Sequence, residues 1–121
     1  MATILLIDDD NLMRAYGAAV LSSAGHNVVE VDSGEKGMAR LRLGAIDLVV
    51  TDLVMPGQRG PETIVQMRKE YPRTKIIVVS GSPDSEPFRQ AAALVGLRRI
   101  LAKPFASRQL LDLVDEALCG E

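Results

Sequence analysis

Five side chains stand out for the chemistry they could do: the carboxylates of Asp8, Asp9 and Asp52, the hydroxyl of Ser80 and the ammonium of Lys103. Each follows a short apolar run: Ile4-Leu5-Leu6-Ile7 before Asp8, Leu48-Val49-Val50 just before Asp52, Ile76-Ile77-Val78-Val79 before Ser80, and Ile100-Leu101-Ala102 before Lys103. Carboxylates brought together are costly, because two unit charges about 4 Å apart repel by roughly 4 kcal/mol at an effective dielectric of about 20. Either some of them hold a proton with a raised pKa, or a hard cation sits among them. Mg²⁺ suits such a set, since it takes one or two carboxylates and fills its other positions with water and phosphate oxygens. Capping of a helix accounts for Asp10 and in part for Asp9. It does not account for Asp52, which no helix start requires. A carboxylate nucleophile, a divalent ion, a hydroxyl and an ammonium make a site for accepting a phosphoryl group, with the cation and Lys103 offsetting charge on its oxygens.

Apolar runs bounded by turn signals suit strands buried on both faces of a parallel sheet. In such sheets chemistry gathers at the carboxyl ends of the strands. Five strands are expected, at Ile4–Ile7, Val28–Val31, Ile46–Thr51, Lys75–Val79 and Arg99–Ala102. The second is less uniformly apolar and is expected at an edge. Helical spacing connects them. Asn11–Ala24 carries Met13, Tyr16, Val20 and Leu21 inward and is capped by Asp10 or Asn11. Ser33 caps a helix to about Leu43 with Met38, Leu41 and Ala39 inward, and Gly44 stops it. Pro61 opens a helix to Glu70 with Ile64, Val65 and Met67 as its stripe. Pro83 and Pro87 delay a fourth helix to about Ser85–Glu86, ending at Gly96. Ala106–Leu118 is the fifth, with Leu110, Leu111, Val114 and Leu118 inward. Five alternations predict a parallel sheet with helices on both faces. Right-handed crossovers favour the order 2-1-3-4-5, whose switch point between strands one and three would bring Asp8, Asp9 and Asp52 together.

The bulk properties exclude several classes. At 121 residues the chain is expected to be one domain spanning 1–121, with no output domain after Glu121. A formal net charge of −2 gives no reason to expect nucleic acid or an anionic membrane as a direct partner. No apolar run approaches the roughly 20 residues of a membrane span, and no basic leader precedes Ile4. Cys119 is the single cysteine, compatible with a cytoplasmic location. His26 lies before the second strand and is assigned no role. Arg89, Arg98, Arg99 and Arg108 are read as solvated charges, or more sharply as a docking face.

Asp8-Asp9 after the first strand, Thr-Asp52-Leu-Val-Met-Pro after the third, Ser80-Gly81 after the fourth and Lys103-Pro104-Phe105 after the fifth resemble the receiver domain of two-component response regulators. The resemblance covers Ile4 to about Leu118. It implies a flavodoxin-like, doubly wound five-stranded sheet with five helices on two faces. It also implies a signalling switch rather than an enzyme, with only self-phosphorylation and autodephosphorylation. Asp52 would accept the phosphoryl group from a sensor histidine kinase or histidine phosphotransfer protein. Asp9 and Asp52 would hold Mg²⁺ (or Mn²⁺), Asp8 through water, and the backbone carbonyl of Val54 would be a further ligand. The Lys103–Pro104 bond would be cis, and Gly60 matches the glycine after the Met-Pro loop. A downstream target or dimer mate would use the last two helices and fifth strand. The family often carries an aromatic residue three positions before the lysine; here that residue is Ile100.

Two rivals share parts of this pattern. A phosphohydrolase of the haloacid-dehalogenase type would use Asp8 of Asp8-x-Asp10 as nucleophile, but Leu12 stands where Thr or Val is expected. A flavin-binding module would need hydroxyls and glycines in the first loop, where Asp8-Asp9-Asp10 would repel a phosphate.

Overall fold

Alternate residues of the first strand enter two separate cores, which is why its apolar run is continuous. In the computed structural model, which describes residues 2–52, 60–81, 93 and 99–119, β1 is Thr3–Ile7. Ile4 and Leu6 pack with Val20, Leu21, Leu110 and Val114 on one face. Leu5 and Ile7 pack with Met38, Leu41, Ile64 and Met67 on the other. The remaining strands are β2 (Asn27–Val31), β3 (Leu48–Asp52), β4 (Lys75–Ser80) and β5 (Ile100–Ala102). All are parallel, in the order β2-β1-β3-β4-β5. The expected order therefore holds, and the half-exposed β2 lies at an edge.

Among the described residues there are four helices: α1 (Asn11–Ser23), α2 (Gly34–Leu41), α3 (Gly60–Glu70) and α4 (Ser107–Leu118). α1 and α4 cover one face of the sheet, α2 and α3 the other. The helix expected between Ser85 and Gly96 lies outside the described residues except at Ala93, which is helical. Pro83, Pro87, Arg89, Arg98 and Val54 lie outside them too.

Helix ends follow the side chains. Asp10 caps α1 by accepting from the backbone N–H of Leu12 at 2.9 Å and of Met13 at 3.1 Å. Ser33 caps α2 through Lys36 N–H at 3.1 Å. Gly44 follows α2 with φ +82°, a conformation that suits glycine.

Several expected core positions are corrected. Tyr16, Val65 and Leu118 are 39%, 41% and 36% exposed, and Ala39 is exposed as well. Small residues take the buried places instead: Gly17 and Ala18 in α1, Gly37 in α2 and Ala117 in α4. They do so because a helix seated closely on a sheet has no room for more. A Cβ on Gly37 would stand 2.5 Å from Ile7 Cδ1. Arg99 is likewise not a solvated charge: it is buried, and its Nε donates to Glu116 Oε2 at 3.1 Å. Arg108 is exposed beside Asp112. His26 accepts the backbone N–H of Ala2 at Nδ1, 3.2 Å away.

Candidate functional site

β1 and β3 are adjacent, with Ile7 opposite Thr51, so the residues that follow each strand emerge side by side. Asp8 and Asp52 thus meet at the switch point of the sheet, where crossovers diverge to opposite faces. Carboxylate oxygens of Asp8, Asp9 and Asp52 lie within 4.8 Å of one another; Asp8 is buried, the Asp52 side chain is 11% exposed and Asp9 is exposed.

Lys103 closes the cluster from the far side. Its Nζ donates to Asp52 Oδ2 at 2.7 Å and to Asp8 Oδ2 at 3.1 Å. It reaches them because its backbone N–H donates to the Ser80 carbonyl at 2.8 Å, extending the β4–β5 ladder by one bond. The Lys103–Pro104 bond is cis, as the resemblance implied. Burial is the largest influence on the Lys103 ammonium and pulls its pKa down. The hydrogen bonds and negative charge of Asp52 and then Asp8 outweigh that, leaving it raised above the ordinary lysine value. Ser80 ends β4, buried at 2% exposure, and Gly81 beside it is exposed.

The turn after β1 is held from within. Asp8 Oδ1 accepts the backbone N–H of Asp10 at 2.9 Å, while the Asp8 N–H donates to the Val31 carbonyl at 3.2 Å. Arg14 spans the turn from α1: Nη1 donates to the Asp8 carbonyl at 2.7 Å and Nη2 to Asn11 Oδ1 at 2.7 Å. Its Nε lies 3.6 Å from Glu30 on β2. Sequence reasoning did not single out Arg14. The available signal was its place one turn beyond Asp10, since helical side chains lean toward the N-terminus and cover the preceding loop.

Of the predicted site residues, the structure brings Asp8, Asp9, Asp52 and Lys103 into one cluster and places Ser80 at the neighbouring strand end. Val54 lies outside the described residues. Ile100, in the position often aromatic in the resembled family, packs half-buried against the α2–α3 core. Phe105 instead packs its ring at a tilt of 42° against Tyr16, ring centroids 5.7 Å apart, and Tyr16 Oη donates to its carbonyl at 3.4 Å.

A doubly wound parallel sheet with an acidic cluster and a lysine at its switch point defines a class of phosphoryl-accepting signalling switches. The chain belongs to that class by direct comparison: the response regulator receiver domain family matches residues 4–115. It is 33% identical to the response regulator receiver protein CpdR of Brucella abortus (strain 2308), over 98% of this chain and 98% of that protein. It is also 37% identical to the sensor kinase CckA of the same organism over 97% of this chain, but spans only 12% of that relative's length. Among solved structures, the chemotaxis protein CheY4 of Vibrio cholerae superimposes with a TM-score of 0.88 at 27% identity, covering 96% of this chain and 98% of that one. The chain is therefore a two-component receiver, of a family whose domains receive phosphoryl groups from histidine kinases and phosphotransfer proteins. The haloacid-dehalogenase alternative gains no support from these relatives. No helix among the described residues is long and apolar enough to cross a membrane.

Proposed function

We propose that Asp52 is the phosphoryl acceptor of this receiver and that Asp8, Asp9 and Asp52 hold Mg²⁺ or Mn²⁺ beside it. The observation that carries this reading is the cluster itself: three carboxylates within 4.8 Å, with Lys103 bonded to two of them. An all-oxygen, anionic donor set fits a hard divalent cation. The Val54 carbonyl belongs to the same proposal as a further ligand. When bound, the cation supplies positive charge facing the oxygens of the incoming phosphoryl group.

The chain's own residues do the rest. An Asp52 carboxylate oxygen forms the new P–O bond as the P–N bond of the donor's phosphohistidine breaks. Lys103, already 2.7 Å from Asp52, then pairs with a phosphoryl oxygen. Ser80 donates its hydroxyl to another. Moving Ser80 draws on Gly81, the exposed glycine that follows it. Inverting a two-state balance from 1:99 to 99:1 takes about 5.5 kcal/mol. One charge-assisted hydrogen bond supplies roughly 1.5–3 kcal/mol, so Ser80 and Lys103 must act together or a partner must add the remainder.

The same proposal takes residues 1–121 as one receiver unit in the cytoplasm, phosphorylated by a histidine kinase or phosphotransfer protein. Its output passes to a protein target or dimer mate through the last two helices (α4 and the one expected between Ser85 and Gly96) and β5, rather than to nucleic acid. The test is labelling by acetyl phosphate in the presence of Mg²⁺. Wild-type protein incorporates one phosphoryl group on Asp52, and Asp52→Asn incorporates none. Undiminished labelling of that variant, or a label mapped to Asp8, would overturn the assignment.

A further inference from the structure

Asp9 is the exposed member of the carboxylate cluster, and among the described residues no hydrogen bond or ion pair holds its side chain. Its direction must therefore come from the backbone that carries it. The Asp8 carbonyl belongs to the peptide unit joining Asp8 to Asp9, so whatever fixes that carbonyl fixes where residue 9 begins. The group that fixes it is Arg14, whose guanidinium bonds the carbonyl and Asn11 Oδ1, each at 2.7 Å, and faces Glu30 at 3.6 Å. Only 19% of the Arg14 side chain is exposed, so the fork is held between α1 and β2 rather than free in solvent.

We propose that Arg14 is a positioning residue for the cation site: by clamping the Asp8 carbonyl to the first turn of α1, it aims the Asp9 carboxylate at Asp52. The inference rests on the reading that Asp8, Asp9 and Asp52 bind Mg²⁺. A planar fork with two donors in fixed directions can hold two acceptors at once, whereas an ammonium acts as a point charge. Arg14→Lys therefore keeps the charge and loses the clamp.

Charge and positioning make opposite predictions. A guanidinium near a divalent cation repels it, so on charge alone the loss of Arg14 tightens Mg²⁺ binding. Loss of a group that orients a ligand weakens binding, typically by about 10–100-fold. The experiment is calorimetric titration of the full chain with Mg²⁺, alongside thermal unfolding of the metal-free proteins by circular dichroism. We expect Arg14→Met to bind Mg²⁺ about 10-fold more weakly than wild type, with Arg14→Lys also weaker. Should Arg14→Met not fold, Asn11→Ala removes one anchor of the same clamp and is expected to bind Mg²⁺ more weakly than wild type, by less than Arg14→Met would. Unchanged or tighter binding in the folded variants overturns the inference while leaving the metal site intact. Absence of Mg²⁺ uptake by wild-type protein overturns both.

Discussion

Lys103 and Asp52, 51 residues apart in the chain, meet at 2.7 Å, and the same ammonium reaches Asp8 at 3.1 Å. One cation thus offsets two carboxylates that emerge from adjacent strands. The side chains are 18%, 11% and 9% exposed, so water does little of that work.

Replacing Lys103 by Met should remove the ammonium that Asp8 and Asp52 share. A lost charge-assisted bond in a half-buried setting costs about 2–3 kcal/mol. Urea midpoints should fall accordingly without added metal. Millimolar Mg²⁺ should stabilise Lys103→Met more than wild type, because the ion restores the missing charge. Equal stabilisation of the two proteins would count against a shared site.

Alkaline stability follows from the raised pKa of Lys103. The folded protein holds this proton more tightly than the unfolded chain, so the contribution is fully present below about pH 10.4, the ordinary lysine value. It declines as pH rises through the higher folded pKa. Metal-free wild-type protein should therefore lose more stability between about pH 10 and 12 than Lys103→Met does. Parallel curves of unfolding free energy against pH would refute this.

Gly37→Ala tests how closely α2 sits on β1. The added Cβ would lie 2.5 Å from Ile7 Cδ1 and 3.2 Å from Cγ1, and Ile7 is fully buried. Overpacking of this kind costs about 1–3 kcal/mol. Ile7 directly precedes Asp8, so Mg²⁺ affinity should fall along with the urea midpoint. Gly44→Ala, where nothing lies within 4 Å but φ is +82°, should cost about 1 kcal/mol and leave metal affinity unchanged.

Chelation should stop phosphorylation rather than slow it modestly. Labelling of wild-type protein by acetyl phosphate is expected to drop by at least about 100-fold in excess EDTA, the loss of a main charge-stabilising element. Either Mg²⁺ or Mn²⁺ should restore it. Persistent labelling in EDTA would remove the cation from the proposed chemistry.

Much of the fold was legible because β1, β3 and β4 are buried on both faces, which leaves uninterrupted apolar runs in the sequence. Their ends were legible for the same reason: Asp8, Asp52 and Ser80 break those runs abruptly. Helix facing was less so. Periodicity groups Tyr16 with Val20 and Val65 with Ile64, but how far a neighbour wraps around a helix decides which edge of the stripe is covered. Gly17, Gly37 and Ala117 carry weak apolar signals, yet all three are buried, and a Cβ on Gly17 or Gly37 would crowd β1.

From its residues alone, the chain determines five buried or half-buried strands, the polar residues that end them and the caps that start α1 and α2, since each depends on neighbours in sequence. Only the folded arrangement decides that Lys103 bridges Asp52 and Asp8, that Arg14 grips the Asp8 carbonyl and that Arg99 is buried against Glu116. Those contacts join groups on different elements, and their strength depends on distance and on exclusion of water. Neither quantity exists until strands and helices have packed.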